Sequence, residues 1–141
     1  MLGIDLGTKN LAIYGQGKET ILSLDDFFSI EDMAESLAAE VKQYNCSVDY
    51  SWSMAYWPGN KKTKMQMSFL LGVIFNSSLK TIIVEPREIR DMLGIPATIP
   101  KKELHRIAFA VYPELKVLSS HHLVDAALLQ LWGEKNNARF Y

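Results

Sequence analysis

The chain has 141 residues, of which 48% are hydrophobic and 22% are charged, and its formal net charge at pH 7 is −1. This length is typical of one domain with a substantial core, so we expect a single domain over residues 1–141. No segment approaches the ~18 apolar residues of a membrane span. The near-neutral charge argues against non-specific coating of nucleic acid, although local basic groups can still bind phosphates. The single cysteine excludes an internal disulfide and favours a reducing, cytoplasmic compartment.

The first third of the chain predicts three short strands followed by one helix. The strands are expected over 2–4, 11–14 and 20–24, and the turn Gly15-Gln16-Gly17-Lys18 joins the last two as a hairpin. Ser29 and Asp32 resemble a helix-capping box, and the helical spacing of the apolar residues that follow predicts a helix ending at Asn45. The chain therefore begins with an antiparallel meander.

Strands and helices alternate through the rest of the chain. Aromatic residues favour a strand over 48–56, which ends at the turn Trp57-Pro58-Gly59-Asn60. The later elements are a helix over 62–75, a strand over 81–84, a helix over 86–93, a helix over 101–111 and a helix over 121–132 with Gly133 as its stop. Three antiparallel strands followed by parallel ones predict an α/β fold, with a mixed five-stranded sheet and helices on both faces.

Asp5 is the first candidate functional residue, because it lies in the apolar segment GIDLGT. An ionised carboxylate on a buried strand is costly unless a cation or a hydrogen-bond donor compensates it. Binding sites in mixed sheets form beyond the carboxyl ends of the parallel strands, and we expect the strand of Asp5 to be central. Asp5 therefore needs a partner.

A second unusual acid lies in the segment SSHHLVDAALLQLW, whose apolar residues predict a helix buried against the sheet. Residues three and four apart share a helix face, so either His122 or His121 projects together with Asp125. Mg²⁺ favours carboxylates combined with phosphate oxygens, and a cation between two acids removes their repulsion. Asp5, Asp125 and a histidine thus predict a site for one or two metal ions. A lysine partner for Asp125 is the simpler alternative.

GIDLGTKNLAI and HLVDAALL resemble the ribonuclease H-like superfamily and, within it, the RuvC-type Holliday-junction resolvases. The resemblance implies a ribonuclease H-like fold and a metal-dependent endonuclease that resolves four-way DNA junctions by phosphodiester hydrolysis. It implies that Asp5, His122 and Asp125 ligate Mg²⁺, with Mn²⁺ also possible, and that two metals activate water and stabilise the leaving oxygen. It also implies a homodimer with the methionine-rich helix over 62–75 at its interface, in a bacterial, phage or viral context.

One position departs from the pattern of this family. The family has a glutamate near the end of the fourth strand, and counting along the chain puts that position at about Ser53. Asp49 is expected at the start of this strand, on the wrong side of the sheet to reach Asp5. Glu85 follows the next strand, where the similar YqgF family carries an acidic motif, so Glu85 is our predicted replacement as a fourth catalytic residue. Its alternative role is to cap the helix after Pro86.

The missing glutamate leaves two other functions open. A YqgF-like nuclease acting on RNA is favoured if Glu85 is a metal ligand and the protein is monomeric. A junction-binding protein with a weakened catalytic site is favoured if no residue replaces the glutamate near Ser53. The opening GIDLGT also occurs in actin-like and heat-shock ATPases, but one domain of this length lacks the second half that encloses ATP.

Basic residues that flank the expected site predict contacts with the phosphates of branched DNA. They follow either the Pro-Gly turn or the fifth strand, and they are Lys61, Lys62, Lys64, Arg87, Arg90, Lys101, Lys102 and Arg106. Trp52, Tyr56 and Trp57 are candidates for stacking on unpaired bases, although aromatic residues on a strand more often belong to the core.

Overall fold

The structure is a computed structural model that describes residues 1–49 and 61–140. Its central sheet consists of β1 (Leu2–Asp5), β2 (Leu11–Gly15), β3 (Lys18–Leu22), β4 (Asn45–Asp49) and β5 (Lys80–Val84). The strand order is β3-β2-β1-β4-β5, in which β1, β2 and β3 are antiparallel and β4 and β5 run parallel to β1. The predicted mixed five-stranded sheet is confirmed.

Helices cover both faces of the sheet. They are α1 (Ile30–Val41), α2 (Lys61–Ser77), α3 (Pro86–Met92), α4 (Lys101–Val111) and α5 (His121–Lys135). One core packs α1 and α2 against Ile4 and Ile13, and the other packs α5 with α3 and α4. Because side chains alternate along a strand, Ile4 faces the first core and its neighbour Asp5 faces α5. Within the described residues, no helix has both the length and the apolar character of a membrane span.

The boundary between α1 and β4 differs from the prediction. The helix ends at Val41 rather than at Asn45, because Gln43 adopts a left-handed backbone with φ 72° and turns the chain into β4. The strand expected over 48–56 is therefore displaced toward the amino terminus and covers Asn45–Asp49. The remainder of that predicted strand and its turn lie outside the described residues, as do Trp52, Ser53, Tyr56 and Trp57.

The hairpin between β2 and β3 is tighter than predicted. Gly15 pairs with Lys18, and the two residues between them, Gln16 and Gly17, both have positive φ angles of 53° and 77°. Two such residues form the turn whose twist matches that of the adjoining strands. As a result β3 begins at Lys18, before the predicted start.

Glycines bring α5 into backbone contact with the sheet. Gly133 is not the predicted stop of this helix, because α5 continues to Lys135 and Gly133 is buried within it. A Cβ atom at Gly133 would overlap Ser47 and Met1, and a Cβ atom at Gly3 would overlap the carbonyl of Ala126. The absence of side chains at these glycines therefore sets the distance between α5 and the central strands.

Replacing Gly3 by alanine is expected to destabilise the fold by about 1–3 kcal/mol, because the added methyl group overpacks a backbone contact. Chemical denaturation would measure the change in the free energy of unfolding. Lys102→Ala is the control, because Lys102 is exposed in the first turn of α4 and its replacement by alanine adds no atom to the packing between α5 and the sheet. That change should be nearly neutral, since both residues favour helices. An unchanged free energy of unfolding for Gly3→Ala would contradict the close packing.

Candidate active site

Two aspartates lie side by side at the carboxyl edge of the sheet. Asp5 ends β1 and Asp49 ends β4, and the parallel register pairs Ile4 with Val48 directly before them. Asp5 is only 4% exposed. The expectation that Asp49 lies on the wrong side of the sheet was wrong, because β4 begins at Asn45 and Asp49 therefore stands at its end rather than at its start.

The electrostatics of Asp49 reflect this proximity. Burial raises the pKa of Asp49 well above its usual range, and the charge and hydrogen bond of Asp5 raise it further. The negative charge of Asp125 acts in the same direction, while the positive charge of Lys101 opposes it. Three carboxyl groups from β1, β4 and α5 thus share one electrostatic environment, and Asp49 belongs to it.

The histidines at the start of α5 pack beside Asp5. The Nδ1 atom of His122 lies 3.0 Å from Oδ2 of Asp5. Burial lowers the pKa of His122, which favours the neutral imidazole that metals bind. His121 is exposed, and its ring centroid lies 4.1 Å from that of His122. Of the two histidines left open by the sequence, His122 is the one that contacts Asp5.

Helix α4 contacts both oxygens of Asp125. The ammonium of Lys101 lies 2.7 Å from Oδ2, and Nε2 of His105 lies 2.6 Å from Oδ1. Burial alone would raise the pKa of Asp125, but the hydrogen bond with His105 and the adjacent ammonium of Lys101 outweigh it and hold the pKa below its usual range. Sequence reasoning missed His105. Its position four residues after Lys101 places both on one face of α4 and was the available signal.

Lys101 lies between two cavities of the same cleft. One has a volume of about 250 Å³ and is lined by Asp49, Asp125 and Arg90, among others. The other, about 310 Å³, is lined by residues that include Asp5 and His122. Lys101 lines both. Burial lowers the pKa of Lys101, but Asp125, Asp5 and Asp49 together raise it above its ordinary value, so the ammonium is held in its charged form.

Glu85 occupies a different environment from the aspartates. It precedes α3 and forms a reciprocal capping box, in which its backbone N–H donates to Oε2 of Glu88 at 2.9 Å. Its own carboxylate oxygen lies 3.0 Å from Nε of Arg87. The geometry therefore favours helix capping over metal ligation for Glu85, while Asp49 lies where a partner for Asp5 is needed.

The predicted phosphate-binding residues lie on α2, α3 and α4, and two of them, Arg90 and Lys101, line the cavities of the cleft. Lys61 and Lys62 are exposed in the first turn of α2 and Lys64 is partly buried, and Thr63 from that turn lines the cavity beside Asp5. Exposed positions on the other two helices are taken by Arg87, Lys102 and Arg106, of which Arg106 pairs with Glu103. Contact of these residues with DNA stays a prediction.

Arg90 has a structural role that the sequence did not indicate. Its Nε donates to the carbonyl of Ile99 at 2.9 Å, and its Nη1 donates to the carbonyl of Pro86 at 3.1 Å. These bonds tie the start of α3 to the loop that precedes α4. Arg90 thereby fixes the segment from which Lys101 extends into the cleft.

The donor chemistry of the cleft fits a hard divalent cation. Asp5, Asp49 and Asp125 offer carboxylate oxygens and His122 offers an imidazole, which are ligand types that Mg²⁺ and Mn²⁺ accept. Across residues 1–49 and 61–140, no three acidic, histidine or cysteine side chains are already arranged to hold a metal ion. The acids instead contact Lys101, His105 and His122, so metal binding requires local side-chain rearrangement.

The strand order and the helices on both faces of the sheet form an α/β fold that comparison with solved structures shows to be RuvC-like. No family model matches the sequence, and no curated protein matches it. A Thermus thermophilus RuvC structure superposes with a TM-score of 0.69 at 14% identity, over 96% of this chain and 95% of that chain. A T. thermophilus RuvC in complex with a Holliday junction substrate gives a TM-score of 0.70 at 14% identity, over 94% and 91%. The predicted RuvC-like fold is confirmed.

Proposed function

We propose that this protein is a metal-dependent endonuclease that resolves four-way DNA junctions by phosphodiester hydrolysis. The observation that carries the proposal is the meeting of Asp5, Asp49 and Asp125 at one edge of a RuvC-like sheet. The similarity to a RuvC solved with a Holliday junction substrate supports four-way DNA as the substrate.

In this proposal, Asp5, Asp49, Asp125 and His122 hold Mg²⁺ or Mn²⁺. A bound metal at such a site activates water and stabilises the charge of the leaving oxygen. Asp5 and Asp49 provide ligand atoms from the ends of two paired strands, which keep their spacing fixed. His105 orients the carboxylate of Asp125 through its contact with Oδ1.

The basic residues around the cleft hold the DNA backbone in this proposal. Phosphate contacts position a nucleic acid and carry little sequence information, so they suit an enzyme that recognises a branched shape. Exposed lysines lie in the first turn of α2, and Arg87 and Lys102 are exposed on α3 and α4.

We propose a homodimer with the α1–α2 face as its interface. Met65, Phe69 and Phe75 are exposed there at 68%, 43% and 48%. A shallow groove lined by Phe69, Gly72 and Val73 runs beside them. A second copy of the chain would cover this apolar surface, and two-fold symmetry would supply one active site for each of the two strands that must be cut.

The other two functions have weaker support. The RNA nuclease was favoured by Glu85 as a ligand and by a monomeric protein, and the capping geometry of Glu85 argues against the first of these. The junction-binding protein depended on a missing acid, and Asp49 supplies an acid beside Asp5. Both functions are outcomes of the experiment that follows.

The test offers the purified protein a four-way junction, a linear duplex and a structured RNA, each with Mg²⁺, with Mn²⁺ or with a chelator. We expect paired cuts in the junction with either metal, no cuts with the chelator, and sedimentation of the protein as a dimer. Cleavage of RNA alone would instead indicate the YqgF-like nuclease. Junction binding without cleavage in either metal would indicate a weakened site, and both results would contradict the proposal.

A further inference from the structure

Both carboxylate oxygens of Asp125 are engaged by one helix. Lys101 and His105 lie four residues apart on α4 and contact Oδ2 and Oδ1, respectively. A metal ion at this cleft cannot bind Oδ2 while the ammonium of Lys101 stays 2.7 Å away. Any cation that uses this oxygen must first displace Lys101.

The two contacts differ in how easily they can be released. The side chain of Lys101 is 62% exposed, so its flexible stem can swing into solvent and rehydrate the ammonium. His105 is 15% exposed and its ring packs 6.4 Å from that of Phe109, which restricts its movement. Lys101 is therefore the releasable partner of Asp125, and His105 is the fixed one.

Lys101 also neutralises more than one acid. Its positive charge acts on Asp5 and Asp49 as well as on Asp125. It lines the cavities on both sides of the cleft, where it stands between the aspartates. Without this ammonium, the three carboxylates would repel one another more strongly.

We propose that Lys101 is a built-in counter-ion that occupies the carboxylate cluster in the metal-free protein and competes with divalent cations for Asp125. His105 stays on the opposite oxygen and keeps Oδ2 directed into the cleft. The competition lowers the affinity of the empty site for metal. This inference rests on the proposed metal site and concerns its regulation.

The test measures Mn²⁺ binding to the protein without DNA, by electron paramagnetic resonance of free Mn²⁺ at constant ionic strength. Lys101→Met keeps a side chain of similar length and removes the charge. We expect it to bind Mn²⁺ roughly 10-fold more tightly, a magnitude typical of groups adjacent to metal ligands. The metal-free variant should also melt at a lower temperature, and saturating Mn²⁺ should raise its melting temperature by more than it does in the unmodified protein.

Lys116→Met is the matched control, because Lys116 is exposed in the turn after α4 and its loss changes the net charge equally. Its Mn²⁺ affinity should be unchanged. His105→Leu should weaken Mn²⁺ binding, because it removes the fixed partner of Asp125. Equal or weaker binding by Lys101→Met would overturn the proposal, as would equal or tighter binding by His105→Leu. Because no DNA is present, failure to cleave junctions would leave this result intact, whereas no Mn²⁺ binding by any variant would overturn it.

Discussion

Asp49→Asn is expected to lower the rate of junction cleavage by at least about 10- to 100-fold, whereas Glu85→Gln should leave it nearly unchanged. Asp49 shares the environment of Asp5 and Asp125, so its replacement removes a charged oxygen from the proposed metal site. Glu85 contacts Glu88 and Arg87 at the start of α3. Single-turnover cleavage of a four-way junction in Mg²⁺ would measure both rates.

Asp49→Asn should also stabilise the metal-free protein at neutral pH. Burial and the adjacent Asp5 raise the pKa of Asp49 above that of the unfolded chain. The folded state therefore binds the carboxyl proton of Asp49 more tightly than the unfolded chain does. Protonated Asp49 stabilises the fold at low pH, and this stabilisation is lost as the pH rises from the pKa of the unfolded chain through the pKa of the folded state. Asparagine does not ionise, so the variant keeps this stabilisation. The free energy of unfolding of Asp49→Asn should therefore exceed that of the unmodified protein by an amount that grows as the pH rises between the two pKa values.

The pair of variants separates two hypotheses about the missing glutamate. Glu85→Gln removes a helix cap and a surface ion pair, so its thermal stability should be checked before its cleavage rate is interpreted. A large loss of cleavage by a folded Glu85→Gln protein, with normal cleavage by Asp49→Asn, would restore Glu85 as the ligand. It would also remove the observation on which the proposed function rests.

Most of the fold could be predicted because its elements have strong local signals. The helices at Lys101 and His121 begin where the sequence indicates, and Ser120 caps α5 by accepting from the backbone of His122 at 3.1 Å. The segment NCSVD has fewer strand-favouring residues than the aromatic segment after it, so the strand was predicted too far along the chain, ending at Tyr56. No local sequence signal indicated the left-handed backbone at Gln43, which turns the chain after α1 so that β4 begins at Asn45.

The part of the site that could be predicted lies within single segments. Asp5 was notable as an acid in an apolar strand, and the spacing of His122 and Asp125 on one helix indicated a shared face. Asp49 could not be recognised, because its position beside Asp5 depends on the register of β1 and β4. His105 could not be assigned to Asp125, because that contact depends on how α4 docks against α5.

Asp5→Asn is expected to reduce junction cleavage to the limit of detection, by at least roughly 100-fold, while junction binding persists. Asp5 is the most buried of the three aspartates by exposed fraction, and it contacts both His122 and Asp49, so no neighbouring acid can take its place. Cleavage in Mg²⁺ and gel-shift binding with a chelator would measure the two properties separately.

The charge of Asp5 determines the expected direction of the binding change. Removing a negative charge from a cleft that receives phosphates should leave junction affinity equal or higher, since phosphate contacts are governed by the surrounding positive charges. A lower affinity would therefore indicate that the fold is damaged rather than that a ligand is lost. Asp26→Asn is the matched control, because Asp26 is exposed in the 3-10 turn before α1 and should retain full cleavage. Normal cleavage by Asp5→Asn would contradict the mechanism, because a site that cuts without Asp5 cannot depend on the acidic cluster at the end of β1.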